Sequence, residues 1–136
     1  MDPLLDRFVQ AFNAHDLDAF VGCFAEDYRS EQPAHPRRGF GGRGQVRENW
    51  SRVFADVPDA RLVVVGSVET PREMWLEMRI QGTRRDGSRM DLRGVAIHGV
   101  EGAGIQWARL YLEETETGGA DIRETIGRWA HSLRGV

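Results

Sequence analysis

The chain of 136 residues contains no lysine, since all 18 of its basic residues are arginine. This absence excludes mechanisms that need a Schiff-base lysine or a phosphate-loop lysine. The one cysteine, Cys23, excludes an internal disulfide and fits a reducing compartment. No apolar run approaches the roughly 20 residues that span a bilayer, and the first ten residues lack the pattern of a secretion signal. We therefore expect a cytoplasmic protein without a membrane partner.

The chain also lacks a basic surplus, because its formal net charge is −3. This balance argues against a general nucleic-acid binder, so we expect no nucleic-acid partner. The 4 histidines show no metal-ligand spacing, and no G-x-S-x-G motif is present. We predict no metal site and no cofactor. Length and composition suit a single globular domain spanning residues 1–136.

The spacing of apolar residues changes from helical to extended partway along the chain. It predicts helices over about 4–12, 17–24 and 44–56, a short strand over 27–32, and long strands over 61–69, 73–83, 89–100 and 105–114. Asp121 and Glu124 resemble a capping box that begins a C-terminal helix. The apolar stripe of that helix is Ile122, Ile126, Trp129 and Leu133. This order predicts an α+β fold, with helices packed on one face of an antiparallel sheet.

Gly39, Gly41 and Gly44 spell G-x-G-x-x-G, the spacing of a dinucleotide-binding loop. That motif carries meaning only inside a βαβ unit. Here a proline-containing loop precedes the glycines and no parallel crossover follows. We interpret the glycines as a tight loop and helix entry. A phosphate site remains the less favoured alternative, kept open by the neighbouring arginines.

Two segments carry a family resemblance, FVQAFNAHDLDAFVGCFAEDYRSEQP at 8–33 and IQWARLYLEE at 105–114. Over about residues 4–114 the chain resembles the SnoaL-like and ketosteroid-isomerase-like branch of the nuclear-transport-factor-two-like superfamily. The resemblance implies a cone-shaped, curved, mostly antiparallel sheet, packed by about three N-terminal helices around a pocket, plus a C-terminal helix. It also implies a dimer through the sheet. Isomerases, cyclases, epoxide hydrolases and simple binding proteins share this fold, so the fold does not settle the activity.

The residues that act in this family are only partly matched. Phe8 stands where the isomerases have an oxyanion-binding tyrosine, and Gln32 stands where they have the base carboxylate. Leu110 stands where the epoxide hydrolases and cyclases use an aspartate. No catalytic set of the family is therefore complete in this chain.

Two charged residues are the candidate catalytic groups. If Asp86 and Gly87 form a two-residue turn, one face of the flanking strands carries Trp75, Glu77, Arg79, Gly94, Ala96 and His98. Small residues opposite Glu77 and Arg79 leave space for a ligand, and the epoxide-hydrolase branch points a similar pair into its pocket. We interpret Glu77 as a base whose pKa is raised by burial, and Arg79 as a group that orients substrate or stabilises negative charge. An ion pair without chemistry is the alternative.

The remaining candidates would bind the ligand. Alternation places Ser30 and Gln32 on one face of their strand, and the resemblance directs that face into the pocket. The other ligand-binding candidates are His35 near the pocket mouth, Trp50 and Trp75 as walls, His98 beneath Trp75, and Leu110. The last hairpin has two possible registers, since a one-residue slip exchanges the faces of a strand. One turns Arg109 and Tyr111 toward Glu77; the other, which the resemblance favours, sends them with Glu113 to the outer face.

We expect a small-molecule pocket protein with general acid–base chemistry on a mostly apolar ligand. The alternative is a non-catalytic ligand-binding or dimeric accessory protein. We also expect a homodimer through the open face of the sheet. That face is predicted to carry Met78, Ile80, Val95 and Ile97 among Arg93, Arg109, Tyr111 and Glu113. A monomer whose last helix covers this face is the alternative.

Overall fold

The computed structural model describes residues 3–131, and its elements follow the predicted order. Within these residues the helices are α1 (Pro3–Asn13), α2 (Leu17–Val21), α3 (Arg43–Asp56) and α4 (Ile122–Ala130). The strands are β1 (Phe24–Glu31), β2 (Phe40–Gly41), β3 (Arg61–Glu69), β4 (Glu73–Thr83), β5 (Arg89–Glu101) and β6 (Gly104–Glu114). A 3₁₀ turn occupies Pro36–Arg38. Leu133, predicted in the last helix, lies outside the described residues.

The strands form one open, curved sheet in the order β2–β1–β6–β5–β4–β3. Neighbouring strands are antiparallel except β1 and β6, which are parallel. The helices α1, α2 and α3 pack against one face of this sheet. The predicted α+β fold with a mostly antiparallel sheet is therefore confirmed.

Aromatic rings hold these helices together above the sheet. The ring centroid of Phe20 lies 5.2 Å from that of Phe8 and 5.6 Å from that of Phe12. Phe12 also meets Trp50 of α3 edge-on at 5.2 Å. Such pairs contribute roughly 0.5–1.5 kcal/mol each beyond their burial. Cys23 is fully buried in the same core.

The end of α1 is fixed to the open edge of the sheet. The amide of Asn13 accepts from the Leu62 N–H at 2.7 Å and donates to the Leu62 carbonyl at 3.0 Å. The Asn13 side chain thus pairs with β3 as a neighbouring strand would. His15 follows with a φ of 53°, and its Nε2 donates to the Ala60 carbonyl at 2.7 Å. These bonds set the separation between the helices and the sheet.

The turn between β4 and β5 differs from the predicted two-residue turn. The Gly87 N–H donates to the Arg84 carbonyl, and the Arg84 N–H donates to the Ser88 carbonyl, each at 2.8 Å. Gly87 has a φ of 88°, so it takes the left-handed position that closes a three-residue hairpin loop. Glu77 consequently pairs with Val95 rather than with Ala96.

That single extra loop residue exchanges the faces of β4 relative to β5, so the predicted side chains of β4 change sides while His98 and Ala96 of β5 stay on the inner face. Met78 and Ile80 point toward the helices and are 4% and 3% exposed, whereas Glu77 and Arg79 are exposed on the opposite, outer face. Trp75 lies on the outer face as well, 42% exposed. The predicted placement of Glu77, Arg79 and Trp75 toward a pocket is therefore wrong, as is that of Met78 and Ile80 on the outer face.

The register of the β5–β6 hairpin agrees with the favoured prediction. A bulge between Gly99 and Val100 shifts the pairing, so that Arg109 lies opposite Ile97 and Glu113 opposite Arg93. Arg109, Tyr111 and Glu113 therefore share the outer face. The outer face consists of Trp75, Glu77 and Arg79 together with Arg93, Val95, Ile97, Arg109, Tyr111 and Glu113.

The glycine segment forms a tight connection into a helix, as predicted. Phe40 and Gly41 pair antiparallel with β1, and Gly42 precedes α3 with a φ of 93°. The Arg43 guanidinium donates two hydrogen bonds to the Phe24 carbonyl, at 3.1 and 2.9 Å. Antiparallel pairing and this use of Arg43 remove the support for a phosphate loop.

The C-terminal helix has the predicted capping box. Asp121 accepts from the Glu124 N–H at 2.9 Å, and Glu124 accepts from the Asp121 N–H at 3.2 Å. The apolar stripe of α4 remains exposed, with Trp129 at 75%. Trp75 and Tyr111 on the outer face are exposed as well, whereas Ile97 on the same face is buried, so the outer face is partly open in the single chain. Over the described residues, no helix has both the length and the apolar character needed to cross a membrane.

Candidate functional site

A cavity of about 170 Å³ lies between the inner face of the sheet and the helices. Its apolar walls are Phe8, Phe12, Phe20, Phe24, Phe40, Val46, Trp50, Val53, Leu62, Met78, Ile80, Leu110 and Leu112. Its polar lining residues are Tyr28, Ser30, Gln32, Asn49 and His98. Among the described residues that line it, none carries a carboxylate or a guanidinium. The polar groups are therefore all neutral or able to remain neutral.

His98 is one of two deeply buried titratable groups in the cavity lining. It is 3% exposed, and the edge of its ring contacts Phe8 at 5.6 Å between centroids. Its Nδ1 lies 3.2 Å from the Met74 carbonyl on β4. A carbonyl oxygen only accepts, so Nδ1 carries the proton of the neutral ring. Burial lowers the pKa of His98 to about 4, which keeps the imidazole neutral at neutral pH.

Tyr28 and Ser30 form the second polar group, on β1. They are 3% and 1% exposed, and they lie two residues apart on the same face of the strand. Burial raises the pKa of the Tyr28 phenol. Ser30 pairs with Ala108 on β6, and Ala108 pairs with His98 on β5. Ser30 and His98 thus lie two strands apart, roughly 10 Å between Cα atoms, with only a methyl group between them.

Gln32 and Asn49 complete the polar lining. Gln32 follows β1, and its side-chain oxygen accepts from Arg38 at 3.1 Å. Asn49 comes from the inner side of α3. Of the five polar residues, Tyr28 and Asn49 were not predicted from the sequence. Tyr28 shares the alternation of Ser30 and Gln32, so the strand pattern could have predicted its position in the lining. Asn49 falls on the helical stripe of Val46, Trp50 and Val53, so the helical pattern could have predicted its position as well.

The structure separates the predicted site residues into two groups. Those that line the cavity are Ser30, Gln32, Trp50, His98 and Leu110. Glu77, Arg79 and Trp75 lie on the outer face, so a catalytic role for Glu77 and Arg79 in this cavity is not carried forward. His35 is partly exposed, and its Nε2 lies 2.7 Å from the Glu113 carboxylate rather than in the cavity lining.

A family model of the SnoaL-like domain matches residues 5–109, which include most of the cavity lining. The chain belongs to the SnoaL-like family. This confirms the resemblance found in the sequence, and it is consistent with a family of small-molecule-binding isomerases and cyclases. No curated protein matches the chain.

Solved structures share the SnoaL-like fold at low sequence identity. A protein of ketosteroid isomerase-like fold from Catenulispora acidiphila, in complex with trimethylamine, matches with a TM-score of 0.69 and 14% identity, over 80% of this chain and 84% of that one. An NTF2-like protein of unknown function from Exiguobacterium matches with a TM-score of 0.67 and 20% identity, over 84% and 99% of the two chains. Likeness at these identities shows the fold alone.

The burial of His98 predicts a loss of stability in mild acid. In the unfolded chain His98 has the ordinary histidine pKa of about 6.5 and is protonated below that pH. In the folded protein His98 is protonated only below its lowered pKa of about 4. The free energy of unfolding should therefore fall as the pH is lowered through this window. The loss is on the order of 3 kcal/mol, at about 1.4 kcal/mol for each pKa unit.

Urea denaturation at pH 7 and pH 4.5 measures this loss, and the His98→Gln variant is its control. The variant cannot bind the proton in either state, so it should lose less stability between the two pH values. An equal loss in both proteins would show that His98 is not buried in its neutral form.

Proposed function

We propose that the SnoaL-like chain binds a small, uncharged and mostly apolar molecule in this cavity. The observation that carries the proposal is the lining itself, which combines aromatic and aliphatic walls with a few neutral polar groups. Ligand sites commonly have this composition. Burying a charged ligand against such walls without a counter-charge would cost several kcal/mol or more.

The volume of the cavity restricts the size of the ligand. An engineered cavity of about 150 Å³ in another protein binds benzene, and the cavity here has about 170 Å³. This space suits one ring with a short substituent rather than a molecule of several fused rings. Burial of such a ring supplies most of the affinity, at roughly 25 cal/mol for each Å² of apolar surface.

Binding is better supported than acid–base catalysis. Proton transfer is most effective when the pKa of the catalytic group lies near the working pH. Burial moves the two titratable groups of the cavity away from it, because it lowers the pKa of His98 to about 4 and raises that of Tyr28. These two residues are the titratable groups of the cavity lining, whereas Glu77 and Arg79 lie on the outer face.

Two probes of similar shape test this proposal. Toluene should bind, and benzylammonium, which adds a positive charge, should bind at least about tenfold more weakly because the lining offers no counter-charge. Isothermal titration calorimetry measures both constants. Failure of both toluene and its hydroxyl analogue phenol to bind at their solubility limits, or equal binding of toluene and benzylammonium, would contradict the proposal.

Matched variants then locate the bound probe. Leu110→Trp places a larger side chain in the cavity and should abolish toluene binding. Tyr111→Trp makes the same replacement at the next residue on the outer face, and it should leave toluene binding unchanged. Thermal unfolding of both variants establishes that they fold.

We further propose that the partner is a second copy of the chain, docked through the outer face. This face presents Trp75 and Tyr111, each 42% exposed, beside side chains of both charges. Arg109 stacks on Trp107 with 4.6 Å between its guanidinium carbon and the ring centroid, which orders it for contact. A surface that carries both arginine and glutamate is complementary to itself across a two-fold axis.

Light scattering at micromolar concentration tests the dimer. The mass should be twice the 15.4 kDa of one chain, and Arg109→Glu should lower it toward one chain by replacing a cation of the outer face with an anion. Arg52→Glu, an exposed change on α3, is the control and should leave the dimer intact. A mass of one chain for the unaltered protein would refute this interface.

A further inference from the structure

His98 presents a hydrogen-bonding atom of fixed character to the cavity. Its Nδ1–H is committed to the Met74 carbonyl at 3.2 Å, so the neutral ring has its lone pair on Nε2. Within residues 3–131 the hydrogen bond of the His98 ring is made by Nδ1, and no enclosed side-chain nitrogen or oxygen is left without a partner, so the unpartnered Nε2 is an accessible atom. Since His98 lines the cavity, this lone pair is available to a molecule bound there.

The surroundings of His98 prevent the ring from changing its role. It lies in the middle of three paired strands, opposite Met74 on one side and Ala108 on the other, and its ring edge contacts Phe8. A flip of the ring would break the bond to the Met74 carbonyl. Protonation is disfavoured by burial, since His98 is 3% exposed. Nε2 therefore accepts hydrogen bonds at neutral pH and does not donate them.

The second polar group of the cavity, formed by Tyr28 and Ser30, does not require the ligand to be a hydrogen-bond donor. The hydroxyl groups of Tyr28 and Ser30 can each rotate to donate or to accept a hydrogen bond. They tolerate a ligand oxygen of either kind. His98 is thus the group of fixed hydrogen-bonding character among the buried polar residues that line the cavity.

We propose that His98 makes the cavity selective for a ring that carries a hydroxyl group, which donates its proton to Nε2. This inference rests on the proposed function, because it specifies the ligand of the same cavity. A ligand with an ether or a carbonyl oxygen at this position offers no proton, so its lone pair and the lone pair of Nε2 would repel each other. A ligand with a methyl group would leave Nε2 buried and unpaired.

Three probes of nearly equal size separate these cases. Phenol has a donor, toluene has a methyl group in its place, and anisole keeps the oxygen without the donor. Because toluene is more hydrophobic than phenol, the quantity to compare is the ratio of the toluene and phenol dissociation constants in different variants. Calorimetry with the whole chain measures this ratio.

In the unaltered protein, phenol should bind at least about fivefold more tightly than anisole, the effect of about 1 kcal/mol from one hydrogen bond. His98→Phe keeps a ring but removes the acceptor, and it should lower the toluene-to-phenol ratio by about tenfold. His98→Gln offers an amide oxygen as acceptor and should restore most of the ratio. His131→Phe makes the same replacement at an exposed histidine and should leave the ratio unchanged.

The outcomes distinguish this inference from the function on which it rests. If toluene and phenol both fail to bind, the proposed function and the inference are both wrong. If toluene binds, and phenol shows no advantage over anisole and no dependence on His98, only the inference is overturned. The comparison of phenol with anisole needs no variant, so it remains decisive even if His98→Phe does not fold.

Discussion

The three-residue turn that closes with Gly87 fixes which side chains of β4 and β5 share a face of the sheet. In a strand, neighbouring side chains point to opposite faces, so one residue more or fewer in the turn would exchange every side chain of β5 relative to β4. With Gly87 at a φ of 88°, Met78 and His98 face the helices. The apolar character of the cavity and the position of its histidine both depend on this turn.

The electrostatics of the site follow from the same register. On β4, Glu77 and Arg79 point to the outer face, so their charges remain in water and need no buried partner. The inner face keeps His98, and the strand pairing that brings the Met74 carbonyl to its Nδ1 holds it in one neutral form. The mixed charges of the outer face then suit a surface for a second chain, while the inner face suits an uncharged ligand. One sheet thus separates the two kinds of contact.

Much of this fold could be predicted from the sequence. Strands over 61–69 and 73–83 match the structure at both ends, because alternation and flanking turn residues mark them clearly. The capping box of Asp121 and Glu124 was equally readable, since it depends on residues three positions apart. Family resemblance supplied the arrangement around a central cavity, which periodicity alone does not specify.

The composition of the site was harder to predict, for a physical reason. Asp86-Gly87 fits a two-residue turn, but glycine also suits the left-handed position of a three-residue turn. The two turns give pairings of β4 with β5 that differ by one residue. The choice is made by the burial of Met78 and Ile80, a property of the packed sheet and not of the turn. Ser30 and Gln32 line the cavity as expected, because alternation gives them a shared face and the family resemblance directs that face inward.

The central claim is that the inner face of the sheet holds a neutral, buried histidine with its lone pair turned to a ligand cavity. Nitrogen NMR of protein labelled in its histidines tests it most directly. The account predicts that the His98 ring keeps its proton on Nδ1 and stays neutral from about pH 5 to pH 8, and that its Nε2 resonance moves when phenol is added. A ring that titrates near the ordinary histidine pKa of about 6.5, or that carries its proton on Nε2, would contradict the account.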